Sequence, residues 1–288
     1  MRSRNPVFSR EGSFTRDNQY AGFGTQTAGQ PGQQAYGNPY AGHQGAGQPP
    51  LTDEQLAGMY EAPSAGPLQT GRMTMDDVVA RTAMTLLTLV AFGAVAWFTV
   101  PMDNFAPAIG AALVAMVIGL VVSFKRSVNP GLILAYAALE GFFLGAISKA
   151  FETFWPGIAI QAVLGTSAVF AATLFAYKSG RIRVTPRYTR IGISIAIGFV
   201  LLMLVNVVAM AFGADFGLRS GPLGILVGLV GIALGAFFLT LDYAEIEEGI
   251  RMGAPEKEAW RAAFGLTLSL VWIYMEMLRL IAILRGDD

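Results

Sequence analysis

Six carboxylates lie within or beside long apolar runs: Glu140, Asp242, Glu245, Glu247, Glu248 and Glu276. Glu276 stands out among them. The stretch around it, Ala262–Leu284 (AAFGLTLSLVWIYMEMLRLIAIL), is long enough to cross a bilayer and almost wholly apolar. A carboxylate at that depth is costly, so an ionisable group there points to function and to a partner. One partner is on its own helix: Arg279, three residues on, could form an intrahelical ion pair. Another would be a second acid across a helix interface. Two carboxylates facing each other in low dielectric cannot both ionise cheaply, and the pair can share a proton. Such a site would change state around neutral pH and offer oxygens to a hard cation. At about 1.5 Å per residue, Glu140 lies roughly 14 Å into its apolar run and Glu276 roughly 18 Å into its own, so the two are expected to be level. The competing reading of Glu140 is a protonated, purely structural hydrogen-bond donor. Asp242 closes the sixth apolar run and is expected at the membrane edge, with Glu245, Glu247 and Glu248 continuing into a solvated loop. Asn206 and Tyr274 are polar groups that could serve the same cavity, although interhelical hydrogen bonds of this kind are often structural.

The rest of the composition excludes other chemistries. Charged residues make up 14% of the 288, against about 25% in a typical soluble domain. The 20 basic and 20 acidic residues cancel, which removes the electrostatic case for nucleic acid. There is no cysteine, so disulfides, thiol catalysis and Cys-ligated zinc are excluded. His43, the single histidine, stands in a Gly/Gln-rich stretch where a histidine metal site is not expected. No Walker loop, HExxH, GxSxG or dinucleotide fingerprint occurs in a plausible context. We therefore expect neither an enzyme nor a cofactor. The N-terminus lacks an apolar h-region, so no cleavable signal peptide is expected, and internal segments must direct insertion.

The elements that position the acids follow from hydropathy. Residues Met1–Thr70 are rich in Gly, Gln, Pro, Ser and Tyr. They cannot bury enough apolar surface to offset ordering entropy, which predicts a disordered cytosolic tail over 1–70. The remainder, 71–288, is expected to form one transmembrane domain. Thr74 with Asp77 reads as a capping box opening its first helix, and Asp76 and Asp77 suit a helix N-terminus. Seven apolar stretches follow, each near the roughly 20 residues of a spanning helix: Ala83–Val100, Phe105–Val122, Gly131–Ala150, Gly157–Ala176, Ile191–Phe212, Pro222–Leu241 and Ala262–Leu284. The second, fourth and sixth connections are basic, most strongly the fourth, with Lys178, Arg181, Arg183, Arg187 and Arg190. The positive-inside rule then places these connections and the N-terminus in the cytosol. The C-terminus falls outside, unless the last segment is re-entrant. Gly141/Gly145, Gly224/Gly228 and Gly231/Gly235 form GxxxG spacings, read as close packing within the bundle.

Two passages carry a family resemblance. AYAALEGFFLGAISKAF with IAIQAVLGTSAVFAATLFAYKSG, and the ending LDYAEIEEG…WIYMEMLRLIAIL, resemble the Bax inhibitor family in its bacterial YccA-like branch. The likeness spans about Met73 to Arg285. It implies an all-α, seven-helix membrane fold in which the last helix is central and the other six surround it, in the bacterial inner membrane. It also implies a pH-sensitive pair of acids and a calcium or proton leak, or alternatively a non-conducting regulator that binds a membrane-bound ATP-dependent protease. On the family pattern Asp242 is the sixth-helix acid. Glu276 is the candidate seventh-helix acid and, with Asp242, a candidate calcium ligand. The family's seventh-helix Asp lies nearly three turns before a Leu-Arg pair such as Leu278-Arg279, a count that lands near Ser269. Depth favours a Glu140–Glu276 pair and the family favours Asp242–Glu276, so both stand beside the Arg279 pairing.

Overall fold

The computed structural model describes residues 71–125, 127–213 and 218–286. The tail expected over 1–70 lies outside these residues. Among the described residues seven helices follow in order: α1 Met75–Thr99, α2 Ala106–Phe124, α3 Pro130–Phe154, α4 Ile158–Lys178, α5 Pro186–Ala211, α6 Gly221–Arg251 and α7 Glu258–Gly286. All 7 are long and apolar enough to cross a membrane, which makes the chain an all-α multi-pass membrane protein.

Local chemistry sets the helix starts. The expected capping box is present: the Thr74 hydroxyl accepts from the Asp77 amide at 3.1 Å, and the Asp77 carboxylate accepts from the Thr74 amide at 3.0 Å. Proline opens α3 and α5, where its missing N–H costs nothing. The preceding Asn129 and Thr185 accept from Gly131 and Tyr188 amides at 3.0 and 3.2 Å. Glu152, in the last turn of α3, reaches across the connection to accept from the Ala159 amide at 3.1 Å, capping α4.

The largest departure from the hydropathy reading is in α6. The apolar run ends at Leu241, yet the helix continues to Arg251 and is 31 residues long. Asp242, Glu245, Glu247 and Glu248 therefore stand on a helix and not on a loop. The extension persists because it is amphipathic. Tyr243 and Ile246 are buried, in one cluster with Met73, Val78, Ala259 and Leu266. It stops at Gly253, whose φ of 68° lets the Ala254 amide reach back to Gly249 O at 2.9 Å. Residues before α1 pair with this turn, Met73 N to Ala254 O at 2.8 Å and Glu256 N to Gly71 O at 2.9 Å. At the opposite end of the bundle Arg285 donates to Pro156 O at 3.0 Å. Thus α7 runs the whole depth of the bundle and is not re-entrant.

The last helix is central, packing against α1, α3, α4 and α6. The expected ring of six is incomplete. α2 packs chiefly on α3 and α5 on α6, and α5 reaches α7 through the edge-on Phe199–Trp272 ring contact at 6.0 Å. Glycines set the closest approaches, within the bundle as expected. Gly141 and Gly145 of α3 lie against the backbone of Leu89 and Gly93 of α1. On α6, Gly224, Gly231 and Gly235 face α7 side chains.

Candidate functional site

The α6–α7 seam holds two acids, each set against a glycine of the opposite helix. Towards the C-terminal end of α7, Glu276 faces Gly231 of α6. A Cβ added there would stand 2.8 Å from the carboxylate, so Gly231 is what admits the side chain. Glu276 pairs with Arg279, one turn on, as the intrahelical reading anticipated. The two side chains are 13% and 12% exposed, so the charges compensate one another largely out of contact with bulk. Arg219, ahead of α6, lies close enough to act on both charges. One turn before Glu276 on α7, Trp272 donates its indole N–H to Gly231 O at 2.9 Å and closes the seam beside the pair.

Asp242 occupies the other half of the seam. Its Oδ2 accepts from the Ser269 hydroxyl at 2.6 Å, and a Cβ added to Gly265, one turn before Ser269, would come within 3.0 Å of Oδ1. Gly265 and Ser269 thus form a small-residue notch on α7 into which the carboxylate fits. No ion pair reaches Asp242 among the described residues. Glu245, on its own helix, is the charged group that acts on it. Next to it on α6, Tyr243 turns its hydroxyl to Phe170 O and Thr173 of α4, and on α7 Thr267 pairs with Thr85 of α1 at 3.3 Å.

Asp242 and Glu276, the candidate calcium ligands, are therefore not brought together. Their positions along α7, at Ser269 and Glu276, differ by about 10 Å. The hydroxyl at 269 stands where the count back from Leu278-Arg279 had pointed. Glu140 is not level with Glu276 either. On α3, Tyr136 meets Phe264 edge-on at 5.1 Å and the Ser148 hydroxyl meets that of Tyr274 at 2.6 Å. Between these contacts α3 and α7 run in the same direction. Glu140, one turn past Tyr136, is thus level with about Thr267, roughly 13 Å short of Glu276. No hydrogen bond or ion pair reaches it among the described residues.

Of the other polar candidates, Tyr274 is taken by Ser148, and Asn206 is buried on α5, with its amide N–H directed at Met210 Sδ at 3.7 Å. Among the described residues no three Asp, Glu or His side chains gather as a metal cage. Reasoning from charge alone passed over Gly231 and Gly265, which make room for the acids. The available signal was the small residues at i and i+4, Gly265 and Ser269, opposite an acid on the preceding helix.

A search among curated proteins returns no significant match. The profile of the family described as Bax inhibitor 1 like matches residues 5–286, nearly the whole chain. With its seven membrane-spanning helices and central last helix, the chain belongs to the Bax inhibitor 1 like family.

Proposed function

We propose that this protein is a pH-sensitive cation leak, carrying calcium or protons, in which the α6–α7 seam is the gate and Asp242 the titrating group. One observation carries the choice of residue. Asp242 sits in the seam with one hydroxyl donor and no countercharge among the described residues, whereas Glu276 is neutralised by Arg279. Protonated, Asp242 is neutral and its hydrogen bond to Ser269 can hold α6 and α7 together. Ionised, it places a single charge between two apolar helices. Water or a cation must then enter to solvate it, which favours an opened seam. The sign follows: the closed seam is favoured at low pH and the open or cation-bound seam as pH rises through the titration of Asp242. Calcium would be cargo at this site, held briefly by one carboxylate, since a stable site needs six to eight oxygens. Glu140, level with the same notch, is a second acid on the route and tunes the response.

The test of conduction is flux of calcium and of protons into liposomes containing the purified full-length chain. Flux that rises from acid to neutral pH supports the reading. Empty and protein-bearing liposomes that behave alike would contradict it and favour a regulator that engages a membrane-bound protease.

We also place the protein in a bacterial inner membrane, in the YccA-like branch, with the N-terminus cytosolic. The five basic residues from Lys178, at the end of α4, to Arg190, in the start of α5, support this orientation. In this cysteine-free chain, Ser179→Cys should resist a membrane-impermeant thiol reagent in intact cells and react after permeabilisation. Labelling in intact cells would reverse the topology.

A further inference from the structure

A second binding site lies away from the acids, on the outer face of the bundle. α5 is held to α6 along a narrow seam in which the Phe237 ring packs over Gly192. Beside that contact a cavity of about 320 Å³ remains between the helices, lined by Tyr188, Ile191, Ile195, Val230, Ala233 and Phe237. The Phe237 ring takes the space over Gly192, and the small side chain of Ala233 lines the slot left beside it. Ile191 and Ile195 are 52% and 53% exposed, so in a membrane the groove faces lipid.

Its chemistry changes in order along α5. The apolar lining runs from Ile195 to Ile191. One turn nearer the helix start, the Tyr188 hydroxyl meets that of Thr240 at 3.1 Å, the polar pair at the groove's end. Next comes Arg187, one turn before Ile191 on the same stripe, with Arg190 flanking it. Both are exposed, as are Lys178, Arg181 and Arg183, and none of the five is in an ion pair among the described residues. Neither acid that follows on α6 lines the groove: Asp242 is turned to Ser269 of α7, and Glu245 lies a turn beyond Leu241.

We infer that this groove binds an anionic phospholipid, one acyl chain along Ile191, Ile195, Val230 and Ala233, the ester region at the Tyr188–Thr240 hydroxyls, and the phosphate at Arg187 and Arg190. An apolar slot, then hydroxyls, then unpaired guanidinium groups is the order of chemistries such a lipid presents. Basic pockets at the ends of membrane helices recognise anionic headgroups in this way. The inference is independent of the cation reading, since the groove shares no residue with Asp242 or Glu276.

The experiment is native mass spectrometry of the delipidated full-length protein, titrated with phosphatidylglycerol or with phosphatidylcholine of the same acyl chains. The wild type should retain phosphatidylglycerol preferentially. Arg187→Gln and Arg190→Gln should each weaken retention about fivefold and erase the preference for the anionic headgroup. Ala233→Trp, which fills the groove and leaves the basic residues in place, should abolish retention of both lipids. Unchanged melting temperatures would show that the variants are folded. Equal retention of the two lipids by the wild type, indifference to loss of both arginines, or full retention by Ala233→Trp would each overturn the inference. A dimer that Ala233→Trp disperses would do so too, by giving the groove to a second copy.

Discussion

Gly145→Ala should lower the melting temperature of the purified protein by roughly 5–10 °C. A Cβ on Gly145 would be driven into the Gly93 backbone of α1, and one on Gly141 into that of Leu89. No rotamer relieves a clash with main chain, so α1 and α3 must move apart along their whole contact. These two helices share the most extensive interface in the bundle, and in a membrane such an interface is held by close packing rather than by expulsion of water. Gly198→Ala is the control. It lies in α5 with nothing within 4 Å of the added atom, and alanine favours a helix over glycine. Its melting temperature should stay the same or rise slightly. Equal losses in both variants would show that the loss does not come from the α1–α3 approach, since helix propensity alone would raise both melting temperatures.

Glu276→Gln should be more damaging than its single-atom change suggests. It leaves the Arg279 guanidinium, 12% exposed, without its countercharge. The Nε and Nη1 atoms of Arg279 are already buried without a hydrogen-bond partner, so nothing on the spot takes over. Removing one member of a buried ion pair costs about 3–5 kcal/mol in soluble proteins. The double variant Glu276→Gln/Arg279→Gln removes both charges and should regain most of the loss, because the pair's net contribution after desolvation is small. A double variant less stable than Glu276→Gln alone would mean that Arg279 has another anionic partner. Neither variant should remove the pH dependence of flux, because Glu276 is compensated and stands about 10 Å from the Asp242 notch.

Much of the fold is legible in residues whose physics is local. Twenty-residue apolar runs, the Thr74/Asp77 box and the GxxxG pairs each point to a structure through one segment alone, and each is found. The continuation of α6 was hidden, because hydropathy drops at Asp242 while Tyr243 and Ile246 remain buried against partners distant in sequence. The same blindness affected the site. A charge in an apolar run is conspicuous, so Glu276 drew attention; the hydroxyl of Ser269 and the missing side chain of Gly265 are not. Which acids are level depends on how α3 and α6 slide along α7, and no single segment encodes that. The family count from Leu278-Arg279 lands on the turn of α7 whose Ser269 donates to Asp242, because spacing along one helix follows from its geometry.

The central claim is that Asp242 sets the pH response, and the most direct measurement is cation flux across liposomes, titrated in pH, for wild type and Asp242→Asn. Asparagine keeps the shape of the side chain and can still accept from Ser269, but it cannot ionise. The account predicts a flux for Asp242→Asn that is low and flat with pH, set at the wild type's acid-limit value, with Ser269→Ala shifting the wild-type profile without abolishing it. A pH profile in Asp242→Asn that superimposes on the wild type would contradict the account and move the search for the sensor to Glu140.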